Sequence, residues 1–497
     1  MTEKGSCCCK NKCKEEVKTM SQDNKILKKK TKIVATIGMN SATEEMLQAM
    51  SKKGVNIFRL NFSHGDHAEH KAKIDAIRKH NLPGAILLDT KGPEIRTAGM
   101  ESKVELKEGD KFIITVADGN SYEKTGKIGV SYKEFLTDIE IGNNITIDGN
   151  LIAEAISKKG EDIEFLVKTG STVVSSKRHI NVQGRHVSLP TLTENDWKDI
   201  DFGIEQKVDY IAMSFVRTAK DVQEVREYCA KGGLKDVKII SKIENCEAVD
   251  NLEELVLESD GIMIARGDLA LEAGYAKVPT IHKRIMELCS FYKKPVIVAT
   301  QMMASMVTEI NPTRAEVADV AHAVYEGADA VMLSEEATKS KDPSHVVEMM
   351  ADIVLEAENE TYGDCDCDCE DECDCDNACC CDYHLLAEEM LPICPEMLED
   401  VDGIVIISKD YDLTRVISNA RIPLPTFSFT DKETYRNQMN LLWNVKPFMM
   451  NITDDFEANV AEAEKSICKK CVKTYLLISE MNVKGKMIPT IQVRELQ

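Results

Sequence analysis

The sequence has no apolar run approaching the roughly 20 residues that a membrane-spanning helix requires. Its opening stretch, MTEKGSCCCKNKCKEEVK, contains no apolar core of a secretory leader. Together these absences predict a cytosolic protein. Positive charge is also short: 62 Lys and Arg stand against 84 Asp and Glu, a formal net charge of −22. A nucleic-acid partner needs a clustered basic face, and an anionic membrane attracts basic surfaces, so neither partner is expected, although local basic pockets remain compatible with this balance. There is no Walker A sequence and no kinase glycine loop, which removes the common nucleotide folds. Cysteine runs the other way, with eighteen residues, but twelve of them crowd into two tracts, Cys7 to Cys13 and Cys365 to Cys381. Such clusters are thiols or metal ligands in a reducing compartment rather than a disulfide framework.

What is present is a normal globular balance, 43% apolar and 29% charged, in a 497-residue chain too long for one ordinary core. From Lys32 a short buried-type strand, a polar residue and an amphipathic helix keep returning. The strands predicted are Ile33–Ile37, Ile57–Leu60, Ala85–Leu88, Tyr210–Met213, Val237–Ile240, Ile262–Ala265, Pro295–Ala299 and Asp329–Leu333. Their near-continuous apolar character suits a parallel sheet covered on both faces, and their number suggests a closed (β/α)8 barrel of the TIM type. Helix starts carry capping-box spacings at Thr218 with Asp221 and Thr313 with Glu316, and Gly54 sits where the first helix should stop.

Between the third and fourth strands, from Arg96 to Arg185, the pattern changes to alternating runs such as Lys111–Val116, Asn144–Ile147 and Asp162–Lys168. This predicts a small β-domain, attached at two points, that serves as a lid over the strand ends. Further on, strands at Gly403–Ile407, Pro425–Phe429 and Thr474–Ile478 predict a C-terminal α/β domain. The expected layout is a Cys/Lys-rich segment 1–30, the barrel over 31–95 and 186–360, the lid over 96–185, a Cys/Asp-rich insertion over 361–385 and the third domain over 386–497.

In such a barrel the chemistry sits at the carboxyl ends of the strands. There the sequence delivers Arg59, Asn61, Ser63 and His64 after strand two and Asp89, Thr90, Lys91, Glu94 and Arg96 after strand three. Lys242 and Glu244 follow strand five, Arg266, Gly267 and Asp268 strand six, Thr300 and Gln301 strand seven, and Ser334, Glu335 and Glu336 strand eight. Any one of these is explained by a structural ion pair. Charge converging from six strands on one mouth costs desolvation energy unless a ligand or ion compensates it. Arg59, Lys91, Arg96, Lys242 and Arg266 suit phosphate, while Glu244 and Asp268 are hard oxygen ligands suited to Mg2+. Asn61, Ser63, Asp89 and Thr90 bring oxygens together in a pattern fit for a monovalent cation.

The segments TKIVATIG, FRLNFSHG, LLDTKGPEIRT, ISKIEN, IMIARGDL, ATQMMASM and PTRAEVADVAHAVYEGADAVMLS, in this order, resemble the successive signatures of the pyruvate kinase family from about Lys32 to Pro343. The resemblance implies phosphoryl transfer from phosphoenolpyruvate to ADP, with Mg2+ (or Mn2+) and K+, in a homotetramer. It implies that Glu244 and Asp268 hold Mg2+ and that Lys242 stabilises the charge in flight. Arg59 would contact the phosphoryl group. The amides of Ala265, Arg266, Gly267 and Asp268, with the Thr300 hydroxyl, would hold the substrate carboxylate, and Thr300 would lie on the route that protonates the enolate. Asn61, Ser63, Asp89 and Thr90 match the K+ ligands, and Glu94 matches the acid of K+-dependent members. His64, Arg96 and Lys177 fall, with Arg59 and Asn61, where the family meets the nucleotide.

Several segments depart from the family pattern. Ala270-Leu271-Glu272 followed by Ala273-Gly274 replaces the family's residues after the metal aspartate, and Ser334-Glu335-Glu336 adds an acid. The lid turn is Asp148-Gly149-Asn150. The family's effector loop, which cradles a sugar phosphate, is here Ser408-Lys409-Asp410-Tyr411-Asp412-Leu413; two aspartates repel phosphate, so no activation by fructose 1,6-bisphosphate is expected. Residues Asp364 to Asp382 hold eight cysteines and nine acids, which reads either as a soft-metal site for Zn2+ or Cu+ or as a solvated acidic loop. The N-terminal Cys7-Cys8-Cys9 and Cys13 would join that metal site or carry palmitate. Two other functions stay open on the residues: another barrel enzyme that forms a pyruvate enolate, or a thiol-rich metal-binding or regulatory protein on a retired scaffold.

Overall fold

The computed structural model describes residues 29–116, 122–184, 187–362, 401–467, 472–483 and 486–496, with Leu398. The cysteine tracts Cys7 to Cys13 and Cys365 to Cys381, and the soft-metal reading placed on them, lie outside the described residues. Among the described residues no helix is long and apolar enough to cross a membrane.

The first three strands are β1 (Lys32–Thr36), β2 (Ile57–Asn61) and β3 (Ala85–Asp89). The chain then enters an antiparallel-rich sheet of β4 (Ile95–Ala98), β5 (Val104–Lys107), β6 (Lys111–Val116), β7 (Ile128–Val130), β8 (Asn144–Ile147), β9 (Leu151–Lys159), β10 (Asp162–Val174) and β11 (His179–Val182). It returns to β12 (Tyr210–Met213), β13 (Lys238–Ile243), β14 (Gly261–Ala265), β15 (Val296–Ala299) and β16 (Ala330–Leu333). The strands β1 to β3 and β12 to β16 close into a barrel in the order β1-β16-β15-β14-β13-β12-β3-β2. Every residue of β1, β3, β12, β14, β15 and β16 is buried, as parallel strands covered by helices on one side and barrel core on the other must be.

The helices begin where the sequence signals them. Thr218 and Thr313 open the helices Ala219–Lys231 and Arg314–Tyr325 with capping boxes, and Thr193 does the same for Glu194–Glu205. Gly54, at φ +115°, ends the helix Glu44–Lys53 in the left-handed region that a side chain would resist.

By internal contacts the chain divides into two units: residues up to Leu60 with Lys71–Ile86 and Gln301 onward, and Asn61–His70 with Leu87–Thr300. The first contains a five-stranded sheet, β17 (Gly403–Ile407), β18 (Thr426–Thr430), β19 (Val445–Met449), β20 (Thr474–Val483) and β21 (Lys486–Glu495), ordered β19-β18-β17-β20-β21. Of these β19 and β21 were not expected. Both are edge strands and carry Pro447 and Pro489, which a ladder tolerates only at its edge. The second unit contains the β4–β11 sheet, packed around its own core of Ile114, Phe135, Ile145, Leu151 and Phe165.

Candidate active site

Within the second unit the side chains gather around Lys242. Strand β13 runs to Ile243, further than the expected end at Ile240, so Lys242 lies in the strand and Glu244 just past its end. Residues two apart on a strand face the same side, which brings the two together. Lys242 Nζ lies 2.8 Å from Glu244 Oε1, 3.1 Å from Asp89 Oδ1 and 2.7 Å from Ser214 Oγ. Lys242 is 8% exposed, Asp89 0% and Glu244 1%, so each charge depends on its partners rather than on water.

Burial pushes the Glu244 carboxyl above its ordinary range, against the pull of Lys242, and the nearby Asp268 adds to the rise. Asp268 is likewise raised by desolvation, with Lys242 opposing and Glu94 and Asp89 reinforcing it. Two acids that the protein makes costly to ionise are a fit place for a cation. Among the described residues no three His, Cys, Asp or Glu side chains form a metal cage. A divalent ion would therefore rest on two carboxylates plus substrate and water oxygens, the coordination that Mg2+ accepts.

Asp268 belongs to the helix Arg266–Ala273, which starts directly after β14. Its first turn offers the backbone amides of Arg266, Gly267 and Asp268 to an anion. A Cβ on Gly267 would sit 2.8 Å from Thr300 Cγ2, so only glycine lets strand-seven residue Thr300 approach. Thr300 has φ +76° and Gln301 φ +56°, conformations that a β-branched or long side chain adopts only when its surroundings impose them. The Arg266 guanidinium donates to the carbonyls of Ala299 (3.0 Å) and Thr300 (2.8 Å), bracing this bend. The residue taken as a phosphate cation thus has a structural task here.

The segments that carry the residues of the expected monovalent site lie beside each other. The Phe62 N–H donates to Asp89 O (3.0 Å), drawing Asn61 and Ser63 to β3, and Asn61 Oδ1 accepts from the Ser63 N–H at 3.1 Å. Thr90 Oγ1 accepts the Ser214 N–H at 3.1 Å. His64 is held by His70, whose Nε2 lies 2.9 Å from His64 O. Glu94 sits between Lys91 (3.2 Å) and Arg96 (2.7 Å); although burial acts to raise it, the Arg96 hydrogen bond and both cations hold its carboxyl below the usual range. Arg96 also donates to Lys177 O at 2.6 Å, which puts these two nucleotide candidates side by side. Arg59 belongs to the first unit, where it is 7% exposed and its Nη1 donates to Thr36 Oγ1 at 2.7 Å.

The sequence reading passed over the end of the fourth barrel strand. Ser214 touches Lys242, and the Phe215 N–H donates to Glu244 Oε2 at 2.7 Å. Neither residue type carries charge, so a search for charged strand ends does not find them. It also missed the consequence of Glu272. That side chain accepts from Asn181 Nδ2 at 3.3 Å, its carbonyl accepts the Gly184 N–H at 3.1 Å, and burial pushes its carboxyl from an ordinary 4.5 up to about 8, with Asp268 and Glu244 adding to the rise.

A group whose folded pKa is raised binds its proton more tightly in the folded state, so its stabilising effect is full below the ordinary value and is lost as pH climbs to about 8. The expected result is a melting temperature of metal-free protein that falls from pH 5 to pH 8, with a flatter fall in Glu272→Gln. Parallel slopes in thermal-shift measurements would contradict the burial of this carboxyl.

A family model described as pyruvate kinase, barrel domain, matches residues 28–347. The chain is similar to pyruvate kinase isozyme G, chloroplastic, of Nicotiana tabacum, 35% identical over 449 residues that cover 89% of this chain and 78% of that one. It is also similar to a pyruvate kinase of Clostridium acetobutylicum, 35% identical over 480 residues, 93% of this chain and 96% of the relative. A pyruvate kinase of Geobacillus stearothermophilus is 44% identical over 340 residues, 67% of this chain and 57% of the relative.

Proposed function

This chain belongs to the pyruvate kinase family and is a phosphotransferase, and on that premise we propose how its residues divide the work of moving a phosphoryl group from phosphoenolpyruvate to ADP. The observation that carries the assignment is the buried cluster of Lys242 with Glu244, Asp89 and Ser214. A loose, metaphosphate-like transition state needs fixed positive charge more than covalent help. Lys242, already oriented by three partners, meets that need without reorganising.

Glu244 and Asp268 would hold Mg2+, or Mn2+ in its place. When bound, the ion neutralises phosphoryl and enolate oxygens as a Lewis acid. The amides of Ala265 to Asp268 and the Thr300 hydroxyl take the substrate carboxylate, and Thr300 in its strained bend stands on the proton route to the enolate. Arg59 contacts the transferring phosphoryl group. Asn61, Ser63, Asp89 and Thr90 would hold K+, and the acid at Glu94 supports dependence on it. His64, Arg96 and Lys177, with Arg59 and Asn61, meet the nucleotide phosphates. The protein works in the cytoplasm as a homotetramer. Lys242, Glu244, Asp268 and Asp89, the principal residues of the resemblance, are all present, which argues against a retired scaffold.

The effector loop supports the absence of sugar-phosphate control. Asp410 Oδ1 caps the helix Tyr411–Asn419 by accepting the Asp412 N–H at 2.9 Å, so a carboxylate occupies the helix start that would otherwise attract phosphate. In a lactate-dehydrogenase-coupled assay, turnover is expected to require Mg2+, to be higher in K+ than in Na+, and to show no leftward shift of the phosphoenolpyruvate curve with fructose 1,6-bisphosphate. Absence of turnover with both cations would overturn the reading.

A further inference from the structure

We propose that Arg217 is a positioning residue that ties the return connection of the β4–β11 sheet to the metal carboxylate Glu244. The four residues after β12 act as one bracket. Ser214 Oγ lies 2.7 Å from Lys242 Nζ and donates to Thr90 O at 2.6 Å. The Phe215 N–H holds Glu244 Oε2 at 2.7 Å. Val216 is buried, and its carbonyl accepts from Asn245 Nδ2 at 3.1 Å. Arg217 then reaches out: its guanidinium donates to Val187 O at 2.9 Å and to Thr191 Oγ1 at 3.0 Å, both on the segment by which the chain leaves the sheet for the barrel.

The outgoing connection rests on the same bracket. Gly92 has φ +71°, and a Cβ there would lie 2.9 Å from Ser214 Cβ and 3.0 Å from the Phe215 ring. Both connections of the sheet therefore bear on the residues that orient Lys242 and Glu244. The backbone of Arg217 is fixed at each end, its N–H on Asp221 Oδ2 at 3.1 Å and its carbonyl on Asn251 Nδ2 at 2.9 Å. A shift of the return segment thus pulls on a short, braced stretch rather than on slack chain.

Phe215 marks that stretch as functional. It has φ +52°, a left-handed conformation that a bulky residue adopts only where the surroundings dictate it. The bend is what aims the Phe215 N–H at Glu244. Groups that orient a metal ligand from behind change metal affinity when removed, even though they never touch the ion.

The inference rests on the assignment of Glu244 as a metal ligand, so its test reads metal binding directly. Mn2+ is titrated into the full-length protein with phosphoenolpyruvate present, free Mn2+ is followed by electron paramagnetic resonance, and kcat and KM are measured beside it. Arg217→Ala is expected to weaken Mn2+ binding about ten-fold, by analogy with other residues that orient metal ligands. Arg217→Lys should recover part of the loss, and Thr191→Val should weaken binding in the same direction but less. A lower melting temperature in Arg217→Ala with unchanged Mn2+ affinity would make the residue structural only and overturn the proposal. If Arg217→Ala does not fold, unchanged affinity in Thr191→Val overturns it instead. Failure of the wild-type protein to bind Mn2+ would sink the metal assignment itself, and this inference with it, whereas wild-type binding with unaltered variants sinks this inference alone.

Discussion

Lys242→Met is expected to lower kcat by about 10³-fold or more, because it removes a buried cation proposed to face the transferring group, where single preorganised donors are already worth about 10²–10³. The methionine has similar length and no charge, so packing changes little and electrostatics changes entirely. It also strands Asp89 and Glu244, 0% and 1% exposed, without their shared partner. Removing one member of a buried pair costs about 3–5 kcal/mol of stability, so the melting temperature should drop alongside activity. The two losses separate at low temperature, where the folded fraction is complete: kcat stays low there if Lys242 is catalytic. Coupled turnover at 15 °C within a few-fold of wild type would refute the role.

The second large effect concerns the two carboxylates proposed to hold the divalent ion. Glu244→Gln and Asp268→Asn each keep shape and a carbonyl acceptor but remove the carboxylate charge. Each should raise the Mg2+ concentration for half-maximal rate and lower kcat by about 10²–10³-fold, as loss of an electrostatic contributor to phosphoryl transfer does. Glutamine at position 244 can still accept the Phe215 N–H, so the strand-four bracket stays in place and the loss reports on the metal. A Mg2+ dependence identical to wild type in both variants would show that the ion is held elsewhere. A change in only one would identify the residue that dominates.

Much of the fold is legible in the chain. The barrel strands read from apolar runs such as Ile33–Ile37 and Ile262–Ala265 lie within a few residues of β1 and β14, because a strand buried on both faces must be apolar throughout. The sheet β4–β11 was legible only in part. Runs such as Lys111–Val116 and Asn144–Ile147 read as strands from their alternation, whereas the three-residue β7 is too short for a period to declare itself and β11 is not among the runs so read. In the C-terminal sheet, Pro447 and Pro489 argue against strands until the sheet order shows that both lie at an edge.

For the site, the sequence by itself determined which charged residues end the barrel strands, and charge gathered there at Lys242, Asp89, Glu244 and Asp268 favours a bound anion and cation to compensate it. It also determined their local order, since residue types and strand period are properties of adjacent positions. Only the tertiary structure decided who holds whom. Lys242 and Asp89 are 153 residues apart, and the bond of Phe215 to Glu244 spans 29. Ser214, Phe215 and Arg217 carry no motif; their meaning comes from a backbone bend at φ +52° and from neighbours brought in by barrel closure. Contact between distant segments is set by packing, and no local pattern encodes it.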